Sequence, residues 1–222
     1  MTEAGEGTTI VLLNYTRPQN VRHILSSIEE YECITEGMVV HQLSKTQVEH
    51  SRSRITIRRL QGFSREAYGC AQRYFYAPFA QNRFVLFSHD DILPSQLRIN
   101  DMKNALRSVH YHVGPFGWTC DELGYVVDIG RDRRLDALAG KMTMTYRWLI
   151  DGFKQSMEFY LKDLLNTHGR VDDILFSIHN RRVTHTLPKQ NKGRIKALPK
   201  GEVGMEKSVR HTKQRSAICK IH

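Results

Sequence analysis

The stretch Arg83-Phe84-Val85-Leu86-Phe87-Ser88-His89-Asp90-Asp91 constrains this chain more than any other. A short apolar run that stops abruptly in two adjacent acids has the form of a buried strand delivering carboxylates to the edge of a sheet. A hard divalent cation takes oxygen ligands and commonly completes its shell with phosphate oxygens, so such a strand end is a seat for a metal-bound diphosphate. The same two acids could instead open a polar loop and cap the next helix, which begins near Pro94.

The rest of the chain supplies a setting for that strand. Thr8 to Leu13 is a β-rich apolar run followed by Asn14-Tyr15-Thr16-Arg17-Pro18, after which Val21, Ile24, Leu25 and Ile28 recur at helical spacing. That reads as strand, loop and helix, with Pro18 in the first helical turn and the helix N-terminus facing the sheet's carboxyl edge, where an anion could bind. Gly37 to Leu43 predicts a second strand, and Gln47 to Arg59 shows no clear face. A helical face from Ser64 to Phe75, the strand Phe84 to Phe87 and a helix over Pro94 to Val109 follow. Strands alternating with helices predict βαβ units and a mainly parallel α/β sheet with helices on both faces. Beyond residue 109 the pattern loosens. Val113 to Trp118 reads as a turn-rich loop, Tyr125 to Ile129 and Lys141 to Trp148 as strands, and Phe153 to Leu164 as a helix. Val171 to Ile178 reads as a helix opened by acids, and the segment from Thr186 has little periodicity.

At 222 residues and 40% hydrophobic content the chain can bury a full core. Its N-terminal stretch has no apolar h-region and no run approaches a membrane span, which predicts a soluble, cytoplasmic protein. Cys33, Cys70, Cys120 and Cys219 form no CxxC pair, which argues against a zinc site and a disulfide scaffold. The net charge of +10 is confined to one end: residues 1–180 hold 21 Lys plus Arg against 21 Asp plus Glu, and residues 181–222 hold 12 against 2. Such a segment attracts polyanions, whether nucleic acid, an anionic surface or nucleotide phosphates.

Taken in order, Ile10 to Pro18, Arg73, Val85 to Asp91, Gly114 to Gly117, Gly140-Lys141, Val171-Asp172-Asp173, and His211 with Arg215 resemble the GT-A fold glycosyltransferases, especially small exostosin-like and chlorovirus-type members. The resemblance spans roughly residues 8–215. It implies a GT-A (Rossmann-like) domain over residues 1–185 and a basic C-terminal segment over 186–222 that folds over a donor diphosphate. It also implies transfer of a hexose or deoxyhexose from a nucleoside diphosphate, UDP first, to a glycan or other hydroxyl acceptor, with Mn²⁺ or Mg²⁺ bridging the two phosphates.

Carried over residue by residue, the resemblance makes Asp91 the direct metal ligand and His211 a second one. Asp90 matches the middle position of the acidic motif, and His89 stands where the family has its first acid, a departure that bears on the ribose contact. Thr16 and Arg17 would line the base and phosphate. Arg73 and Arg215 would reach the diphosphate, a task suited to a planar guanidinium. Asp173 would be the general base of an inverting reaction, taking the proton of the attacking hydroxyl. Asp172 and Asp173 equally have the form of acids that cap a helix start. Gly114, Gly117 and Trp118 would border the acceptor.

Two other readings stay open. A pI near 9.6 and paired acids suit a nucleic-acid-binding or nuclease-like protein, although the neutral first 180 residues lack the basic surface such a protein carries. An inactive GT-A-like binding module is the third, and His89 in place of an acid keeps it in view.

Overall fold

The computed structural model describes residues 5–41, 48, 55–61, 68–109, 112–121, 124–129, 134–135, 137–138, 141–166, 172–180, 184–186, 195–199, 214–215 and 217. The chain begins with β1 (Gly5–Asn14), α1 (Pro18–Ile28), β2 (Ile34–His41) and β3 (Thr56–Gln61). A 3-10 turn, Gly69–Ala71, leads into α2 (Gln72–Tyr76), and a second, Ala77–Phe79, precedes β4 (Asn82–Ser88), β5 (Ile92–Pro94) and α3 (Gln96–Val109). Then come β6 (His112–Gly114), β7 (Phe116–Asp121), β8 (Gly124–Ile129), β9 (Arg134–Leu135), β10 (Ala137–Leu138) and β11 (Met142–Tyr146). Three helices, α4 (Arg147–Gln155), α5 (Met157–Asn166) and α6 (Asp172–His179), precede β12 (Thr184–Thr186) and β13 (Ile195–Ala197).

Eight strands form the main sheet in the order β3-β2-β1-β4-β11-β6-β12-β9. Among the described residues six run one way and β11 and β9 run the other, so the sheet is mainly parallel, as the alternation predicts. β1 sits near the middle, paired with β2 on one side and β4 on the other, and its Ile10, Val11 and Leu12 are at most 1% exposed. Burial on both faces is why β1 and β4 are nearly continuous apolar runs rather than alternating ones. α1 covers β1 with Val21, Ile24, Leu25 and Ile28, all fully buried, each side chain contributing roughly 1.5–3 kcal/mol over its exposed state.

A cluster of rings fastens four elements together. Tyr74 of α2 lies 4.9 Å from Phe87 of β4 and 4.8 Å from Phe176 of α6, centroid to centroid, and Phe153 of α4 is 5.2 Å from Phe176. This matters for function because Arg73 precedes Tyr74, and Asp172 and Asp173 lie one helical turn before Phe176. The packed rings hold those charged residues against the end of β4.

Several local readings change. Val113 to Trp118 is not a loop: its residues belong to β6, which pairs with β11 and β12, and to β7, which pairs with β8 and β10. Glycine and proline there mark a tight passage between two strands, and pairing partners supplied by distant residues override the local turn signal. Lys141 to Trp148 is a strand only to Tyr146, after which a helix begins. β3 begins inside the Gln47 to Arg59 region that showed no face and runs on to Gln61, and the helix expected from Pro94 starts at Gln96 because Ile92–Pro94 pairs with β13. The 185/186 boundary falls within β12, so the basic segment's first residue, Thr186, pairs with Gly114 in the main sheet. No helix among the described residues is long and apolar enough to cross a membrane.

Candidate active site at the carboxyl edge of the sheet

The chain leaves β1 toward β2 and β3 and returns to β4 on β1's other side. Strand order therefore reverses between β1 and β4, and that reversal opens a crevice beyond their carboxyl ends, the place where open α/β sheets bind ligands. Arg17 enters the crevice from β1. From β4 come Asp90 and Asp91, whose loop is closed by a hydrogen bond from the Ile92 amide to the His89 carbonyl.

Arg17 Nη1 lies 2.6 Å from Asp90 Oδ1 and 3.8 Å from Asp91 Oδ2. Burial pushes the Asp90 carboxyl up to about 6, with the Arg17 charge pulling against it. Asp91 Oδ1 and Arg17 Nε are both buried without a hydrogen-bond partner. One is an acceptor and the other a donor, and each such group costs roughly 1–3 kcal/mol if left unmet. Thr16 is exposed at the rim. His89 is half-buried, and its amide donates to the Lys141 carbonyl at 2.9 Å. Burial, aided by the Arg73 charge, pushes its imidazole down to about 4, so it is neutral at neutral pH.

Two more guanidinium–carboxylate pairs adjoin this one. Arg73 Nη2 donates to Asp172 Oδ2 at 2.6 Å, with both side chains buried. Arg215 Nη2 lies 2.9 Å from both oxygens of Asp173, whose Oδ1 also accepts from the Ile174 amide at 3.0 Å. Burial raises the Asp172 carboxyl to about 6 against the pull of Arg73. For Arg73, burial acts to lower the pKa but the anion of Asp172 outweighs it, and the guanidinium stays charged. The pairs are one electrostatic neighbourhood: Arg73, Asp91, Asp173 and Lys141 all act on His89. Cys70, next to Arg73 in this cluster, is pushed up to about 12, chiefly by burial, and is an inert thiol.

Of the residues singled out in the sequence, the structure thus brings together Arg17, Arg73, His89, Asp90, Asp91, Asp173 and Arg215. His211 and the side chain of Trp118 lie outside the described residues. The C-terminal segment also reaches the crevice, since the Leu198 amide donates to the Asp91 carbonyl at 2.8 Å and Asn20 Nδ2 donates to the Pro199 carbonyl at 2.9 Å. Two buried polar residues at the same edge had no role assigned from the sequence, Asn14 closing β1 and His41 closing β2, with Asn14 Nδ2 2.9 Å from His41 Nδ1. The signal that finds them is the one that marks Asp90: an apolar strand ending in a polar residue.

Among the described residues no three His, Cys, Asp or Glu side chains converge on a metal position. The unmet Asp91 Oδ1 nevertheless fits a hard cation held by one carboxylate and completed by substrate phosphates, the usual arrangement for Mg²⁺.

The architecture is that of the GT-A fold, a Rossmann-like arrangement of a mainly parallel sheet flanked by helices. It is shared with the structure of S. aureus TarS residues 1–349 in complex with UDP-GlcNAc, at TM-score 0.61 and 13% identity, covering 91% of this chain and 61% of that one. The same protein in complex with UDP gives TM-score 0.54 at 13% identity over 83% and 58% of the two chains. The 4-diphosphocytidyl-2C-methyl-D-erythritol synthase of Anaerococcus prevotii gives TM-score 0.51 at 14% identity over 82% and 86%. This chain spans about three fifths of the TarS 1–349 chain, and at these identities the likeness concerns the fold. No protein-family model and no curated protein sequence matches the chain.

Proposed function

We propose that this chain is a metal-assisted glycosyltransferase that moves a sugar from a nucleoside diphosphate, UDP first, to a hydroxyl of a glycan or similar acceptor. The observation that carries this reading is the pair of unmet buried atoms in the β1/β4 crevice, the acceptor Asp91 Oδ1 beside the donor Arg17 Nε. A cation and a phosphate are the two partners that such atoms lack.

In this reading Asp91 would hold the cation, with His211 as the second ligand, and a bound ion would supply positive charge against the departing diphosphate. Arg17 donates to a phosphate oxygen while Asp90 keeps its guanidinium oriented. Thr16 lies toward the nucleoside and His89 toward the ribose or sugar. Asp173 takes the proton of the acceptor hydroxyl as that oxygen bonds to the anomeric carbon and the carbon–phosphate oxygen bond breaks, giving inversion. For this Asp173 must be released from Arg215, and a diphosphate is the anion that would draw Arg215 away. Arg73 would reach the diphosphate only by leaving Asp172, and from its buried position it can instead keep Asp172 charged beside Asp173. The basic segment 186–222, anchored at Leu198 and Arg215, would close over the donor.

A thermal melt with UDP, Mn²⁺ and the two together tests this, because a ligand that binds only the native state raises its stability by mass action. The expected result is a shift with the pair that exceeds the sum of the separate shifts. No shift with the pair, alongside stabilisation by a polynucleotide that salt abolishes, would favour nucleic-acid binding instead.

A further inference from the structure

We propose that His41 reads the donor's pyrimidine, its Nε2–H donating to the 4-oxo group and so selecting a uridine over a cytidine nucleotide. The inference rests on the nucleotide-donor reading above.

Asn14 and His41 are register partners at the carboxyl ends of the parallel strands β1 and β2. Asn14 is fully buried and His41 is 5% exposed. Asn14 Nδ2 is a donor and faces His41 Nδ1 at 2.9 Å, so Nδ1 accepts and the ring proton sits on Nε2. Nε2 is buried and makes no hydrogen bond. Burial also holds the imidazole's pKa below the ordinary histidine value, aided by the Arg59 charge, which keeps the ring neutral and this polarity fixed. A desolvated N–H without an acceptor is costly enough to need a partner.

The crevice supplies the direction. Asp173, with the sugar's reacting carbon, lies on the far side of β4, where α6 packs toward β6 through the His112–Ser177 contact. With the diphosphate between β1 and β4, the nucleoside must extend the other way, over β1 and β2. The end of β2 is two strand spacings from β4, about 10 Å, which suits the span from a diphosphate to a base edge. Uracil offers an acceptor at position 4, whereas cytosine offers an N–H donor that would oppose Nε2–H. The fold leaves the base open, since one structural neighbour is seen with UDP and another carries a diphosphocytidyl compound in its name.

Calorimetric titration with UDP and with CDP, each with Mn²⁺, decides the matter. The full chain should bind UDP about tenfold or more tighter than CDP, the worth of one neutral hydrogen bond. His41→Ala should weaken UDP about tenfold and leave CDP unchanged. His41→Gln, whose amide can turn to donate or accept, should bind both nearly equally. Equal binding of UDP and CDP by the unaltered chain, or equal weakening of both in His41→Ala, would overturn this inference while leaving the donor reading intact. Binding of neither nucleotide by the unaltered chain overturns both. If His41→Ala does not fold, a UDP preference retained by His41→Gln is the result that overturns the proposal.

Discussion

Arg215 holds Asp173 by a single guanidinium nitrogen, Nη2, set 2.9 Å from each carboxylate oxygen across 42 residues of sequence. Both side chains are less than a tenth exposed, so the C-terminal segment places a buried ion pair on the residue proposed as base.

Removing one member of such a pair leaves an uncompensated buried charge, and the cost is about 3–5 kcal/mol. Arg215→Ala should therefore lower the urea midpoint substantially, and combining it with Asp173→Asn should recover part of the loss. Asp173→Asn alone should abolish turnover while sparing UDP binding. Loss of UDP binding in that variant would contradict the role as base.

Asp91→Asn should change the stability of the ligand-free protein by less than about 1 kcal/mol, because Oδ1 makes no hydrogen bond and Oδ2 is 3.8 Å from Arg17. The same change should remove the Mn²⁺-dependent part of the UDP melting shift. Asp90→Asn, which breaks a 2.6 Å pair, should be the more destabilising of the two.

Arg73→Met leaves Asp172 buried with its main counter-charge gone, and about 3–5 kcal/mol should be lost at pH 7. Asp172 already titrates near 6 in the folded protein, above its ordinary value of 3.8. A carboxyl raised by folding contributes stability at low pH and loses it as pH rises through the folded value. The deficit of Arg73→Met should accordingly shrink as pH falls from 7 to 5. Melting curves at the two pH values check this, and a deficit independent of pH would count against it.

His112 is fully buried beneath Phe176, and burial pushes its imidazole down from 6.5 to about 3. A depressed histidine contributes stability above its unfolded value and loses it as pH falls toward the folded one, at up to about 1.4 kcal/mol per pH unit. His112→Asn should flatten the fall in stability between pH 6.5 and 3, read as the difference from the unaltered chain so that the opposing contributions of Asp90 and Asp172 cancel. Parallel curves for the two proteins would exclude the effect.

What could be read in the residues alone was whatever local burial imprints on them. The i, i+3, i+4, i+7 stripe of α1, the apolar runs of β1 and β4 and the acids that stop β4 each follow from one element meeting water on one side or none, and their order implied the mainly parallel sheet. The candidate carboxylates could be named for the same reason, since a strand end and a helix start are local features.

Partnership was decided by the path of the chain. Arg17 meets Asp90 across 73 residues and Arg73 meets Asp172 across 99, and no spacing rule distinguishes those pairings from others among the same charges. The turn-rich β6 and β7, the polar β12 and the short β13 became strands because distant edges supplied their hydrogen bonds. Asn14 and His41 acquire meaning only when β1 and β2 lie side by side. Burial leaves a periodic trace in each segment, whereas the choice of charge and strand partners is a property of the assembled three-dimensional surface.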